Sequence, residues 1–136
     1  MLDMDLGAGE CGGYAVVALG GELDVVDASA VAVGLGAVAA REPRIIVDLA
    51  GLEFIGASGI AALMRGRGHA RDAGGDVLLA APQRQVRRVL ACTISEGDGF
   101  AVHASVAEAA ASAGPSRQSV VPIRRQPARM RGDASP

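Results

Sequence analysis

The sequence predicts a single α/β domain that is built on a mixed, largely parallel sheet of four to five strands. Apolar runs of strand length alternate with longer apolar stretches of helical period, in the order β-β-α-β-α-β-α-β-α. The run at 45–49 is apolar on both faces, which is typical of a parallel strand buried between helices. Half of the 136 residues are hydrophobic, rich in Ala and Val but with two Phe and no Trp. Such small side chains suit a compact layered fold with crossover helices.

Each expected element has boundary signals in the sequence. The expected strands cover 1–6, 14–19, 45–49, 77–80 and 100–102, and the expected helices cover 25–40, 58–72, 82–90 and 105–113. Residues 20–24 should end the second strand because they begin with two glycines, and Asp24 or Asp27 then caps the first helix. Ser105 caps the last helix, where Glu108 completes a capping box.

Charge is unevenly distributed along the chain. Residues 1–114 contain 14 acidic residues and 8 arginines, a net charge of −6, whereas 115–136 contain 5 arginines and one Asp, a net charge of +4. An acidic body argues against a domain that binds nucleic acid directly. The end of the chain is rich in Pro, Ser, Gln and Arg and has no hydrophobic period. We therefore expect a folded domain over 1–113 and a disordered tail over 114–136.

The remaining composition points to a cytoplasmic protein without catalytic chemistry. No stretch is long and apolar enough to cross a membrane, and the acidic N-terminal residues do not resemble a signal peptide. Cys11 and Cys92 fit no metal or redox spacing, so they are interpreted as packing groups; a regulatory disulfide, which needs Cα atoms within about 7 Å, is the alternative. His69 and His103 are isolated in the sequence. We expect no metal, no cofactor and no enzyme activity.

The most informative segment is 45–63, IIVDLAGLEFIGASGIAAL. A β-branched strand leads to Asp48, an apolar turn is expected at 52–55, and four small residues at 56–59 form a corner before the second helix, which Ser58 should cap. A corner of this kind brings backbone N–H groups to the surface at a helix N-terminus. It suits an anion, a phosphorylatable hydroxyl or the close approach of a partner.

These residues resemble the signature of STAS domains, the family of bacterial anti-sigma factor antagonists. The family corner runs Phe, an apolar residue, Asp, Ser, Ser or Thr, Gly, and Leu or Ile. This chain matches it at Phe54, Ile55, Ser58, Gly59 and Ile60. Two positions differ, since Gly56 stands for the family Asp and Ala57 for the serine that is phosphorylated. Further matching motifs lie at 21–24, 73–75, 82, 86–90 and 105–110, so that the resemblance covers about residues 10–113.

The resemblance implies the STAS fold and a function in protein–protein contact. In the family, an anti-sigma factor with an ATP-binding, kinase-like domain binds the unphosphorylated antagonist and releases its sigma factor. Phosphorylation of the corner serine adds nearly two negative charges and ends binding. With Ala57 at that position, the implied antagonist is not under this control, and Ser58 is the alternative phosphoacceptor. Glu22 and Asp24 match a motif that borders the partner surface, or else they form a turn and a helix cap.

Other functions remain open at this stage. STAS domains also serve as subunits of membrane transport systems and signalling assemblies, and a corner without phosphoserine suits those roles too. A small nucleotide-binding protein or enzyme is the weakest alternative, because the chain lacks a Gly-rich phosphate loop and a catalytic set. A receiver domain phosphorylated on Asp48 would need a Lys, and the chain has none. The predicted partner-binding residues are Glu22, Asp24, Gly56, Ala57, Ser58 and Gly59. Neither the partner nor the oligomeric state follows from the sequence.

Overall fold

The computed structural model describes residues 2–93 and 100–112, together with 130–131 and 134–135. The strands of the main sheet are β1 (Leu2–Cys11), β2 (Tyr14–Leu23), β3 (Arg44–Ile55), β4 (Asp76–Ala80) and β5 (Val102–His103), and the helices are α1 (Val25–Arg41), α2 (Ala57–Asp72), α3 (Arg84–Thr93) and α4 (Val106–Ser112). Two further strands, β6 (Met130–Arg131) and β7 (Ala134–Ser135), pair antiparallel with each other. The element order predicted for the domain is confirmed.

The main sheet has the strand order β1-β2-β3-β4-β5, with β3 at its centre. The hairpin of β1 and β2 is antiparallel, and every other neighbouring pair is parallel. Gly12 and Gly13 make the hairpin turn with φ of +60° and +87°, a left-handed conformation that glycine adopts without a steric penalty. The predicted α/β class, with a mixed and largely parallel sheet, is confirmed.

The two faces of the sheet pack against different helices. Alternate residues of β3 and β4, such as Ile45 and Leu79, join a large core with the inner sides of α1, α2 and α3. The residues between them, such as Ile46 and Leu78, join a smaller core with α4 on the other face. Because both faces are covered, β3 is apolar over 45–47 and β4 over 77–80.

β2 and β3 are both longer than predicted, and their extra length forms the candidate site. β2 does not end at residue 19 but continues to Leu23, with Gly20 paired to Gly51 of β3. The register shifts twice along this stretch. A Cβ on Gly20 would lie 3.5 Å from the Gly51 carbonyl oxygen, which is an ordinary contact distance, so the pairing here does not depend on the missing side chain. The apolar turn predicted at 52–55 is wrong, because these residues complete β3.

Smaller differences occur at the edges of the sheet. β1 extends to Cys11, and the last strand begins at Val102, whereas Phe100 is buried beside it. The cap predicted for α4 is confirmed, since Ser105 Oγ accepts a hydrogen bond from the Glu108 N–H at 3.1 Å. Most of the tail over 114–136 lies outside the described residues, so its predicted disorder stays a prediction.

Candidate partner-binding surface

The candidate site lies at the edge of the sheet where β2 and β3 end side by side. Glu22 pairs with Phe54, and Leu23 pairs with Ile55. Each strand leads directly into a helix, so the N-termini of α1 and α2 lie next to each other. A hydrogen bond joins them, from the Gly56 N–H to the Leu23 carbonyl oxygen at 2.9 Å.

The start of α1 is capped by a side chain. Asp24 is the N-cap residue, and its Oδ1 accepts a hydrogen bond from the Val25 N–H at 2.8 Å. Asp27 adds a second carboxylate in the first turn, where it interacts favourably with the positive end of the helix dipole. Of the two caps that the sequence allowed, Asp24 is the one that forms.

The start of α2 is open. Gly56 is the N-cap residue, no side chain of the described residues caps it, and the first turn contains no acidic residue. The predicted cap, Ser58, lies one residue inside the helix, so that prediction is wrong. The reason is that Gly56 has extended backbone and its carbonyl oxygen already accepts the Ile60 N–H at 3.1 Å. Ala57, at the first helical position, is exposed.

Gly56 makes room for the cap of the neighbouring helix. A Cβ on Gly56 would lie 2.8 Å from Asp24 Oδ1 and 3.6 Å from Phe54 Cε2. The carboxylate of Asp24 and the ring of Phe54 therefore flank residue 56 on two sides. The corner lacks the family Asp, yet the Asp24 carboxylate lies directly beside this position.

Gly59 packs beneath the exposed corner residues, against the ends of β2 and β3. It is buried, and a Cβ there would lie 2.7 Å from Leu23 Cγ and 3.0 Å from Ile55 Cγ1. The absence of a side chain lets the first turn of α2 pack against the ends of both strands. Gly59 thus positions the other predicted site residues and has little surface of its own.

Large apolar side chains complete the exposed part of the site. Val25 is 69% exposed, Val26 87% and Phe54 47%. Sequence reasoning missed both valines, although their position directly after a capping Asp, before the helix turns its apolar side to the core, was the available signal. We call this region the corner surface, and it consists of Glu22, Asp24, Val25, Val26, Phe54, Gly56, Ala57 and Ser58.

The other residues considered from the sequence lie elsewhere. Cys11 packs on the smaller core, but Cys92 is exposed on α3, so its interpretation as a packing group is wrong. Both thiols are free here, and the alternative of a regulatory disulfide stays a prediction. His103 Nε2 lies 3.3 Å from Ser112 Oγ. Asp48 Oδ1 accepts the Ala50 N–H at 3.0 Å within its own strand.

The acidic, His and Cys side chains and the helices of the described residues bear on two alternatives, metal ligation and membrane insertion. It contains no group of three or more His, Cys, Asp or Glu side chains that could hold a metal ion. None of its helices is long and apolar enough to cross a membrane.

The chain is thus an α/β domain with an uncapped helix start exposed at the edge of its sheet. The family model described as "Mlab, STAS domain" matches residues 8–93, which is more than half of the chain. The chain therefore belongs to the STAS domain family, and the resemblance drawn from the sequence motifs is confirmed. No curated protein matches the sequence.

Solved structures share this fold. The anti-sigma factor antagonist SpoIIAA in its unphosphorylated form has a TM-score of 0.64 at 20% identity, over 90% of this chain and 100% of that chain. A candidate anti-sigma factor antagonist from Thermotoga maritima has a TM-score of 0.60 at 21% identity, over 69% of this chain and 83% of that chain. The murine anion transporter Slc26a9 has a TM-score of 0.61 at 21% identity, over 75% of this chain and 18% of that chain. At these identities the likeness shows the fold.

Proposed function

We propose that this chain is an anti-sigma factor antagonist that acts by binding and not by catalysis. In this role it occupies, in the cytoplasm, an anti-sigma factor with an ATP-binding, kinase-like domain and so frees a sigma factor for transcription. Family membership and the two antagonist structures support the role at the level of fold. No cofactor is needed, because contact with the anti-sigma factor is itself the functional event.

The observation that carries the proposal is the exposed Ala57 at the open start of α2. Its methyl group leaves the first-turn N–H groups accessible, and the exposed side chains of Phe54 and Val26 belong to the same surface. A patch that combines apolar side chains with accessible backbone donors suits a protein partner. Ala57 has no hydroxyl, so this position presents the unphosphorylated form permanently.

Ser58 is the alternative point of control within the same role. It is half-buried, and within the described residues its hydroxyl neither caps α2 nor makes another hydrogen bond. A hydroxyl that is not used for capping is free to react. A mass-shift assay with the kinase partner tests this: loss of the added phosphate mass in Ser58→Ala supports control at Ser58, and a label that persists in this variant rules it out.

A subunit of a transport system or a signalling assembly is the second candidate function. It is favoured by the fold likeness to the transporter Slc26a9, of which this chain matches 18%. The same corner surface would then hold a transport ATPase or a membrane protein. The two candidates differ in the partner that they require, so one binding experiment separates them.

The test uses the full chain as bait in an extract of its own source, with retained proteins identified by mass spectrometry. The Ala57→Glu variant places a carboxylate at the centre of the corner surface. Ala107→Glu introduces the same side chain at an exposed position of α4, which packs on the other face of the sheet, and serves as the matched control. We expect a kinase-like ATP-binding protein to bind wild type and Ala107→Glu, and to be lost with Ala57→Glu.

Two results would contradict the proposal. Recovery of transporter subunits in place of a kinase-like protein would favour the second candidate. A kinase-like partner that binds Ala57→Glu as well as wild type would show that the corner surface is not the contact. Addition of a sigma factor in the purified system completes the test, because an antagonist must displace it from the anti-sigma factor.

A further inference from the structure

Among the described residues, the outer face of α1 is apolar and exposed. Val26 is 87% exposed and Val33 73% exposed. Ala30, Ala37 and Ala40 continue the exposed apolar face along the helix. Between Asp27 and Arg41 the helix contains no charged residue. The opposite side of α1 packs into the larger core, whereas this side remains exposed.

The spacing of these residues is that of a helix seam. Positions 26, 30, 33, 37 and 40 are separated by four, three, four and three residues, which is the heptad spacing of helices that pack lengthwise. Neighbouring elements flank this face without covering it. Leu6 of β1 lies beside Gly34 on one side, and His69 of α2 lies beside Gly36 on the other.

The opposite charges of Asp27 and Arg41, at the two ends of α1, favour a partner helix with the same charge pattern in reverse. Asp27 and Arg41 are 14 residues apart, at the same heptad position, so both lie on the same flank of the exposed face. Neither forms an ion pair within the described residues, and Glu42, which follows Arg41, is bound by Arg44 at 3.1 Å. The two opposite charges lie at the two ends of the apolar face, about 21 Å apart at 1.5 Å rise per residue.

We propose that α1 pairs antiparallel with α1 of a second copy of this chain. A two-fold axis near Val33 places Val33 against its own counterpart and Val26 near Ala40 of the second copy. In antiparallel pairs the same flanks face each other, so Asp27 of one copy meets Arg41 of the other twice per dimer. A surface that matches itself in both shape and charge is what an isologous interface requires. A single helix face per copy is small, so the dimer is weak and reversible.

The α1 pairing forms whatever the identity of the anti-sigma partner, but its interface overlaps the corner surface. Val26 belongs to both surfaces, at the N-terminal end of α1. Pairing through α1 therefore covers one edge of the corner surface, and the dimer and a partner at the corner compete for Val26. Val33 lies seven residues along the helix, about 10 Å away at 1.5 Å per residue, and tests pairing without altering the corner.

Sedimentation equilibrium of the full chain, over a wide concentration range, tests the proposal. We expect the average mass of wild type to rise from 13.6 kDa towards twice that value. Val33→Glu brings two carboxylates together at the axis and should raise the dissociation constant at least about 10-fold, equivalent to about 1.4 kcal/mol. Ala37→Glu should act in the same direction, and the control Ala107→Glu should leave the constant unchanged. All three substituted positions are exposed, and circular dichroism verifies that each variant is folded.

Charge reversal tests the antiparallel arrangement. Asp27→Arg alone and Arg41→Asp alone each place like charges together, and each should weaken the dimer by about 3- to 10-fold. An equimolar mixture of the two variants restores both ion pairs and should associate more tightly than either variant alone. Wild type that stays at 13.6 kDa overturns the proposal. So does a Val33→Glu variant that dimerises like wild type, or a mixture that associates no better than its components.

Discussion

The starts of α1 and α2 lie side by side but satisfy their backbone N–H groups in opposite ways. At α1, the Asp24 carboxylate accepts a hydrogen bond, and Asp27 adds negative charge to the first turn. At α2, Gly56 provides no side chain, and no acidic residue follows. The capped start of α1 carries the exposed side chains of Val25 and Val26, whereas the start of α2 has first-turn N–H groups without a side-chain cap. If this edge binds a partner, the difference favours α2 as the side that offers backbone donors, because the start of α1 already has a capping carboxylate.

The largest effect should come from the glycine that brings the two helix starts together. In Gly59→Ala, the new methyl group would lie 2.7 Å from Leu23 Cγ and 3.0 Å from the Leu23 carbonyl oxygen. We expect a loss of about 1–3 kcal/mol in the free energy of unfolding, measured in urea. Gly68→Ala in the same helix meets nothing within 4 Å and should gain about 0.5–1 kcal/mol. Changes of the same sign in both variants would contradict the close approach at Gly59.

Removing the α1 cap should have the next largest effect. Asp24→Ala loses the hydrogen bond to the Val25 N–H and should lower the free energy of unfolding by about 1 kcal/mol. Asp24→Asn keeps a capping oxygen and serves as the control. Ser58→Ala removes a hydroxyl that does not cap and should change stability by less than about 0.5 kcal/mol. If Ser58→Ala costs as much as Asp24→Ala, the two helix starts do not differ as described.

A double-mutant cycle measures how far the Asp24 carboxylate at the start of α1 disfavours a capping side chain at position 56, the start of α2. Gly56→Asp introduces a good N-cap for α2, but its Cβ would lie 2.8 Å from Asp24 Oδ1. We expect this change to be unfavourable in wild type and favourable in an Asp24→Ala background, with a coupling energy of about 1 kcal/mol. Thermal unfolding of the four proteins gives this energy. A coupling near zero would mean that the two carboxylates fit side by side.

Ala57→Ser should change stability least of these variants. It should nevertheless make partner binding sensitive to phosphorylation. The position is exposed at the first turn of α2, so the free energy of unfolding should shift by less than about 0.5 kcal/mol. The kinase-like partner should add phosphate to this variant and not to wild type. Calorimetry should then show binding before phosphorylation and none after it. Phosphate uptake by wild type at an equal rate would place the modified residue elsewhere, with Ser58 the first candidate.

Sequence reasoning predicted the element order, the sheet and the family, because these depend on local period and on several motifs in order. It also predicted the cap at Ser105 and narrowed the first cap to Asp24 or Asp27, since each precedes an apolar helical run. It did not predict that β2 runs through Gly20 and Gly21. Glycines usually end a strand, and their pairing with β3 here depends on contacts between residues 31 positions apart in the sequence.

The same limit explains the misplaced cap at Ser58. The extent of β3 decides where α2 begins, and β3 is held by its pairing with β2 as far as Ile55. Once the strand extends to that residue, Gly56 is the only residue left to act as the cap. The exposure of Val33 was equally hidden, because the sequence of α1 is largely apolar on every side and only packing shows which side faces the core.

The missing hydroxyl at position 57 changes what a cell can use to regulate such a protein. If position 57 cannot be phosphorylated, the amount of bound partner depends on the concentration of the antagonist. Its rates of synthesis and degradation then determine how much partner is bound. A change of about 1–2 kcal/mol in folding stability can alter the abundance of a protein several-fold. For a dose-dependent antagonist, the buried glycine under the corner would then influence the strength of the transcriptional output as directly as any residue on the surface.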